Sequence, residues 1–173
     1  YPYPAFNFQK KVNYVPLLTS RGCPFACKYC ASHFLNTKRM QRSPEAVLME
    51  IRHWHQKYSV RDFAFYDDAL LVNADRHILP ILEGIVRQAI SVRFHTPNAL
   101  HVRPLSKEVA GLLFRAGFKT IRLGLETAFF EGRGSLDSKV GPGEFERAVG
   151  YLKGAGFAGE AMGAYLLFGL PGQ

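Results

Sequence analysis

Apolar positions follow two alternating rhythms along the chain. Val47, Leu48, Ile51, Trp54 and Tyr58 recur at three- and four-residue spacing and so share one helix face. Ser43 ahead of Pro44 and Glu45 supplies a cap, a first-turn proline and a first-turn acid, which predicts a helix over 44–58. Ile78, Leu79, Leu82, Ile85, Val86 and Ala89 mark a second helix; Asp75 is its candidate cap, and Pro80 must then fall near its first turn. Val109, Leu112, Leu113 and Ala116 mark a third, capped by Ser106 and stopped by Gly117. Phe145, Ala148, Val149 and Leu152 mark a fourth, over 144–153. Between them lie short apolar runs with polar or turn residues at their ends: 14–19, 61–66, 92–95, 119–125 and 162–168. These read as strands.

Strand and helix alternate throughout, and Ala116-Gly117-Phe118 recurs as Ala155-Gly156-Phe157 between a helix and the next strand. Such alternation predicts an α/β fold, a parallel sheet with helices outside it, curling towards a barrel. Ligands of such sheets bind at the carboxyl ends of the strands. The polar residues expected there are Asp67 and Asp68, Thr96 and Asn98, Glu126, and the Gly169–Gly172 turn. Residues 1–13 lack periodicity and read as an extended lead-in, which leaves 14–173 as one domain. Five strands are visible and the chain stops where another helix is due, so the domain is expected to be truncated at its C-terminus.

Composition narrows the class. With 47% apolar and 21% charged residues the chain is of globular type. No apolar run is long enough to span a membrane and the N-terminus does not read as a signal peptide. Three cysteines in tight spacing argue against a disulfide framework and for a reducing, cytoplasmic location. The net charge of +8 is uneven: residues 1–60 hold nine Lys/Arg against two Asp/Glu, and 61–173 hold thirteen against twelve. That potential suits a solvated basic face, an acidic electron donor, an anionic small substrate or RNA, the last not favoured.

All three cysteines stand in Arg21-Gly22-Cys23-Pro24-Phe25-Ala26-Cys27-Lys28-Tyr29-Cys30, directly after the first strand. Three thiolates so placed can converge on a soft metal centre. They are one short of the four that hold an ordinary iron–sulfur cluster. A 4Fe–4S cluster on Cys23, Cys27 and Cys30 would leave one iron open to another ligand. The alternative is a structural zinc site on Cys23, Cys27, Cys30 and His33, which needs only those four donors. A plain ferredoxin would require a fourth cysteine.

The C-x3-C-x2-C spacing, with Tyr29 before the last cysteine, resembles the signature of the radical S-adenosylmethionine (radical SAM) enzymes. The resemblance implies a partial (β/α)6 barrel with about five β/α units present. It implies a 4Fe–4S cluster whose open iron is chelated by S-adenosylmethionine. One electron then cleaves a carbon–sulfur bond to give methionine and a 5′-deoxyadenosyl radical, which abstracts hydrogen from a substrate. It assigns Asp67 and Asp68 to the methionine amino group, in place of the family's Gly-Gly-Glu. It assigns Arg122 to the carboxylate, Glu126 to the ribose, and Tyr29, Asn98, Phe168, Gly169 and Gly172 to the remaining cofactor contacts. A low-potential donor of flavodoxin or ferredoxin type is implied as partner. Phe65-Tyr66-Asp67-Asp68 and Arg122-Leu123-Gly124-Leu125-Glu126 most resemble the branch often fused to a cobalamin-binding domain, which this chain does not contain. The substrate and reaction subtype are not legible in the sequence.

Overall fold

The computed structural model describes residues 3–128, 130, 134 and 136–169. In chain order the elements are β1 (Tyr14–Leu17), β2 (Ser20–Arg21), α1 (Ser32–Leu35), β3 (Met40–Gln41), α2 (Pro44–Tyr58), β4 (Asp62–Phe65), α3 (Ile78–Arg87), β5 (Arg93–His95), α4 (Lys107–Arg115), β6 (Phe118–Glu126), α5 (Glu144–Ala155) and β7 (Met162–Leu166). β1, β4, β5, β6 and β7 form one parallel sheet in that spatial order. β2 and β3 pair antiparallel and form a separate ribbon that closes the neck of the cysteine loop. The helices cover one side of the sheet, α2 packing on α3, α3 on α4 and α4 on α5. This is the partial barrel of the expected α/β class.

The core lies between strands and helices. Phe63, Phe65, Phe94 and Phe118 come from three adjacent strands and pack together, with Phe65 stacked on Phe118 at 5.6 Å and Phe94 tilted against Phe118 at 5.2 Å. Trp54, Ile51, Ile81, Leu82, Ile85 and Leu113 close it from the helix side. Side chains alternate across a strand, so the residues between these phenylalanines project to the concave side.

The expected caps of α2 and α4 are present: Ser43 Oγ accepts from the Ala46 amide and Ser106 Oγ from the Val109 amide, each at 3.2 Å. The repeated Ala-Gly-Phe join also has a physical cause. Gly117 and Gly156 end α4 and α5 at φ +97° and +111°, where a side chain is strained. A Cβ at 117 would stand 2.6 Å from the Val92 carbonyl oxygen. The phenylalanine after each glycine then turns into the core.

Several boundaries differ from the sequence reading: β1 ends at Leu17 and not at 19, and α3 ends at Arg87, short of Ala89. Asp75 does not cap α3: Ala74–Arg76 forms a short 3-10 turn, and the helix starts at Ile78 after His77, with no side-chain cap. Pro80 is therefore in the first turn, where its missing N–H costs nothing. β7 ends at Leu166, so Leu167 and Phe168 lie beyond it.

Candidate active site

The cysteine loop hangs from the carboxyl end of β1. Asp67, just past β4, holds its root: the Thr19 amide (3.1 Å) and hydroxyl (2.7 Å) donate to the buried carboxylate, as do the Ser20 amide and hydroxyl. Burial pushes the Asp67 carboxyl up and these four donors pull it back. Asp68 reaches the loop interior instead, accepting from the Gly22 amide at 3.2 Å and the Ser32 hydroxyl at 3.4 Å. The two neighbouring acids thus point to different tasks.

Cys27 is buried, and Cys23 and Cys30 are half-buried, all three as free thiols. Burial pushes the Cys23 and Cys27 thiols up, the charge of neighbouring thiols adds to this, and Lys139 opposes it. Cys23 Sγ lies 3.9 Å from His101 Nε2, and Cys30 Sγ accepts from the Ser32 amide at 3.5 Å. The donor set fits an iron–sulfur cluster: three soft thiols on one loop, mutually repelling until a cation joins them. A single zinc demands all its donors within about 2.0–2.3 Å of one point. Among the described residues no three His, Cys, Asp or Glu side chains are gathered that way, the three cysteines included, so this spacing does not itself separate the two centres. The His33 ring lies against Phe34, centroids 3.9 Å apart.

Beside the loop, at the carboxyl ends of β5 and β6, is a cavity of about 250 Å³. Asp68, Asn98, His101, Gly124, Glu126, Lys139 and Tyr165 line it. Glu126 ends β6 in the left-handed region, φ +64°, at a register irregularity with β7. A non-glycine residue held there stores backbone strain. Its carboxylate is almost fully buried and pairs with Lys139 Nζ at 3.0 Å. Gly124 keeps the floor clear, since a Cβ there would meet Glu126 Oε1 at 3.0 Å. Asn98 Nδ2 donates to the Tyr66 carbonyl at 2.8 Å, and Tyr165 Oη reaches across from β7 to donate to the Pro97 carbonyl at 2.6 Å. His101 is buried against Phe25; burial, with Lys139 and Arg39, pushes its pKa down to about 4, so it is neutral at pH 7.

The structure therefore brings Asp68, Asn98 and Glu126 together beside the three cysteines. Tyr29 lies at the edge of this group, donating to Asp137 at 2.7 Å, with Lys139 Nζ 5.4 Å above its ring. Burial first, then this bond to Asp137, holds the phenol protonated by raising its pKa. Two other expected residues are engaged elsewhere. Asp67 is spent on Thr19 and Ser20. Arg122 folds back on the Ile121 carbonyl at 3.1 Å and does not line the cavity. Phe168 is exposed, Gly169 has φ +76°, and Gly172 lies outside the described residues. Sequence reasoning missed Lys139, His101 and Tyr165. His101 follows an isolated bridge, Leu100 to Leu123, that carries the sheet past the end of β5, a pairing that exists only in the folded chain.

The amino ends of the same strands are built differently. There Arg93 Nε donates to Asp62 at 2.6 Å, His95 Nε2 lies 3.2 Å from the same carboxylate, and His95 Nδ1 lies 3.0 Å from Thr120 Oγ1. A larger cavity, about 600 Å³, opens beside this network between Lys10, Lys11, Arg61 and Arg93.

The profile of the Radical SAM superfamily matches residues 17–173, and the chain belongs to that family. It is a radical SAM enzyme domain, and the family's cofactors are a 4Fe–4S cluster and S-adenosylmethionine. An uncharacterized methyltransferase of Pyrococcus horikoshii is 29% identical over 73% of this chain and 29% of its own length. The cytidylyl-2-hydroxyethylphosphonate methyltransferase of Streptomyces wedmorensis is 24% identical over 90% of this chain and 28% of its own. Among solved structures, the radical S-adenosylmethionine methyltransferase TsrM from Kitasatospora setae, with cobalamin and a [4Fe–4S] cluster bound, superposes with a TM-score of 0.78. It is 22% identical, over 92% of this chain and 32% of that one. This chain spans under a third of the length of each of these proteins. No comparison supports the zinc alternative.

Proposed function

We propose that Cys23, Cys27 and Cys30 hold the cluster and that the cavity beside them binds S-adenosylmethionine, within a protein that transfers methyl groups and uses cobalamin held outside this segment. The observation that carries the reading is the placement of Glu126, Asp68 and Lys139 in one cavity adjoining the cysteine loop. When bound, the cluster supplies the electron that cleaves the carbon–sulfur bond of S-adenosylmethionine. The chain's residues do the rest. Glu126 accepts from the ribose hydroxyls. Asp68 receives the methionine ammonium. Lys139, the cation that lines the cavity, receives the carboxylate in place of Arg122. Asn98 and Tyr165 brace the cavity wall through the carbonyls of Tyr66 and Pro97. Asp67 positions the loop without touching the ligand. Gly169 and Gly172 are assigned to the adenine side.

Methyl transfer and cobalamin are supported by the names of the relatives and of the TsrM structure. The donor is assigned to the flavodoxin or ferredoxin type and the location to the cytoplasm, where free thiols persist. The experiment is anaerobic reconstitution with iron and sulfide, which should yield about four irons per chain. Addition of S-adenosylmethionine should then change the electron-spin signal of the reduced cluster. One tightly held zinc with no capacity for iron–sulfur assembly would overturn the reading.

A further inference from the structure

His101 is only 7% exposed, and its two ring nitrogens have unequal surroundings. Nδ1 is buried with no hydrogen-bond partner among the described residues. Nε2 faces the cysteine loop, 3.9 Å from Cys23 Sγ, a separation that a bond to the larger sulfur atom can span. Phe25, two residues after Cys23, packs on the imidazole with ring centroids 4.8 Å apart. The backbone beneath the ring is fixed by the sheet: the Leu100 amide donates to the Arg122 carbonyl at 2.7 Å, and the Leu100 carbonyl accepts from the Gly124 amide at 3.1 Å. The imidazole is therefore held by the sheet from below and by the cysteine loop itself from the side. Cys30 has a different partner, the Ser32 amide at 3.5 Å.

A neutral imidazole has one N–H to place. On Nδ1 that proton would be a stranded buried donor, and the Nε2 lone pair would face the lone pairs of a thiolate. On Nε2 it points at sulfur, and only a lone pair is orphaned. A metal-bound Cys23 thiolate thus selects the form protonated on Nε2. A donor to a cluster sulfur withdraws electron density and favours the reduced state, which carries one more negative charge. We propose that His101 donates from Nε2 to Cys23 Sγ in the loaded site and thereby raises the reduction potential of the cluster. It acts through Cys23 and is a positioning residue. The inference rests on the cluster assignment proposed above.

The test uses the full-length protein with its cluster reconstituted anaerobically. Redox titration, followed by the electron-spin signal of the reduced cluster, gives the midpoint for the wild type, His101→Gln and His101→Leu. Gln returns an amide N–H close to where Nε2 stands; Leu fills the space without a donor. At a fixed poise the ratio of reduced to oxidised cluster should fall roughly tenfold in His101→Leu, a midpoint lower by about 59 mV for a one-electron couple. His101→Gln should stay near the wild-type midpoint, and iron content should not change in either variant. Wild-type protein grown with nitrogen-15 histidine should show a nitrogen coupling in the pulsed electron-spin spectrum, and His101→Gln should lose it. An unmoved midpoint in His101→Leu would overturn the proposal. A midpoint in His101→Gln as low as in His101→Leu would overturn it too, since the ring would then matter by packing alone. If the Leu variant fails to fold, the labelled wild type still decides: no histidine coupling there, or a coupling that survives in His101→Gln, sinks the idea. Failure of the wild type to assemble a cluster at all would overturn the cluster assignment, and this inference with it.

Discussion

The two ends of the sheet carry acids of opposite character. At the amino ends Asp62 is flanked by Arg93 and His95, and its ionised form is favoured, with Arg93 holding its carboxyl below the usual range. At the carboxyl ends Glu126 is nearly buried, in a strained backbone, with Lys139 beside it and a cavity in front. Both ends belong to the same strands: Asp62 opens β4 and Asp68 stands six residues further on, past its end. At the amino ends Asp62 is neutralised by its neighbours, and the cavity beside it is lined by Lys10, Lys11, Arg61 and Arg93. At the carboxyl ends the acid itself lines the cavity, on strained backbone, as at functional sites.

The comparison can be broken most severely at the cysteines. Cys27→Ala should abolish iron–sulfur assembly while far-ultraviolet circular dichroism and cooperative unfolding persist, because the phenylalanine core lies on the other side of the sheet. Iron and sulfide analysis with thermal melting checks both halves. Loss of cooperative unfolding would instead make the metal part of the fold.

Next comes Glu126→Gln. Hydrogen bonds to a charged group are worth about 1.5–3 kcal/mol, so S-adenosylmethionine should bind roughly one to two orders of magnitude more weakly. Titration monitored by the cluster's electron-spin signal reads this, and iron content should not change. Unchanged affinity would leave Glu126 as a structural partner of Lys139.

Asp67→Ala should act on stability before binding. It strands the buried Thr19 and Ser20 donors, and a net loss of about 2–3 kcal/mol once water reaches some of them lowers Tm on the order of 5–10 °C. A calorimetric scan of the metal-free protein measures it directly. An effect on S-adenosylmethionine affinity without loss of stability would return Asp67 to the ligand.

The smallest effect belongs to Asp62→Asn. The folded carboxyl titrates lower than in the unfolded chain, where it lies near 3.9. Its contribution to stability is therefore complete above that value and disappears as pH falls through the depressed folded value. The variant should melt less steeply with acid than the wild type below about pH 4, and neither cluster nor ligand should notice. Lost ligand affinity would make the two ends alike.

Much of this architecture was legible. Periodicity located α2, α4 and α5, and the caps at Ser43 and Ser106 form the bonds their chemistry suggests. Strand alternation put Glu126 at the rim. What escaped was set by tertiary contact. Asp67 and Asp68 are identical in type and adjacent, and only the approach of Thr19 and Ser20 separates their tasks. Arg122 lies at a position of the right parity, but its side chain turns back to its own strand. Lys139 comes from a loop without pattern, so its place beside Glu126 depends on a fold the local sequence does not announce.

The β2–β3 ribbon has a consequence for maturation and repair. It ties the two ends of the cysteine loop together by backbone pairing, with Asp67 as a second rivet. The entropy of closing that loop is then settled before iron arrives. If the three cysteines hold the cluster as proposed, the first thiolate to capture iron finds the other two at an effective concentration on the order of millimolar. Delivery or replacement of a cluster is then expected to be an operation on a finished protein that leaves the barrel folded.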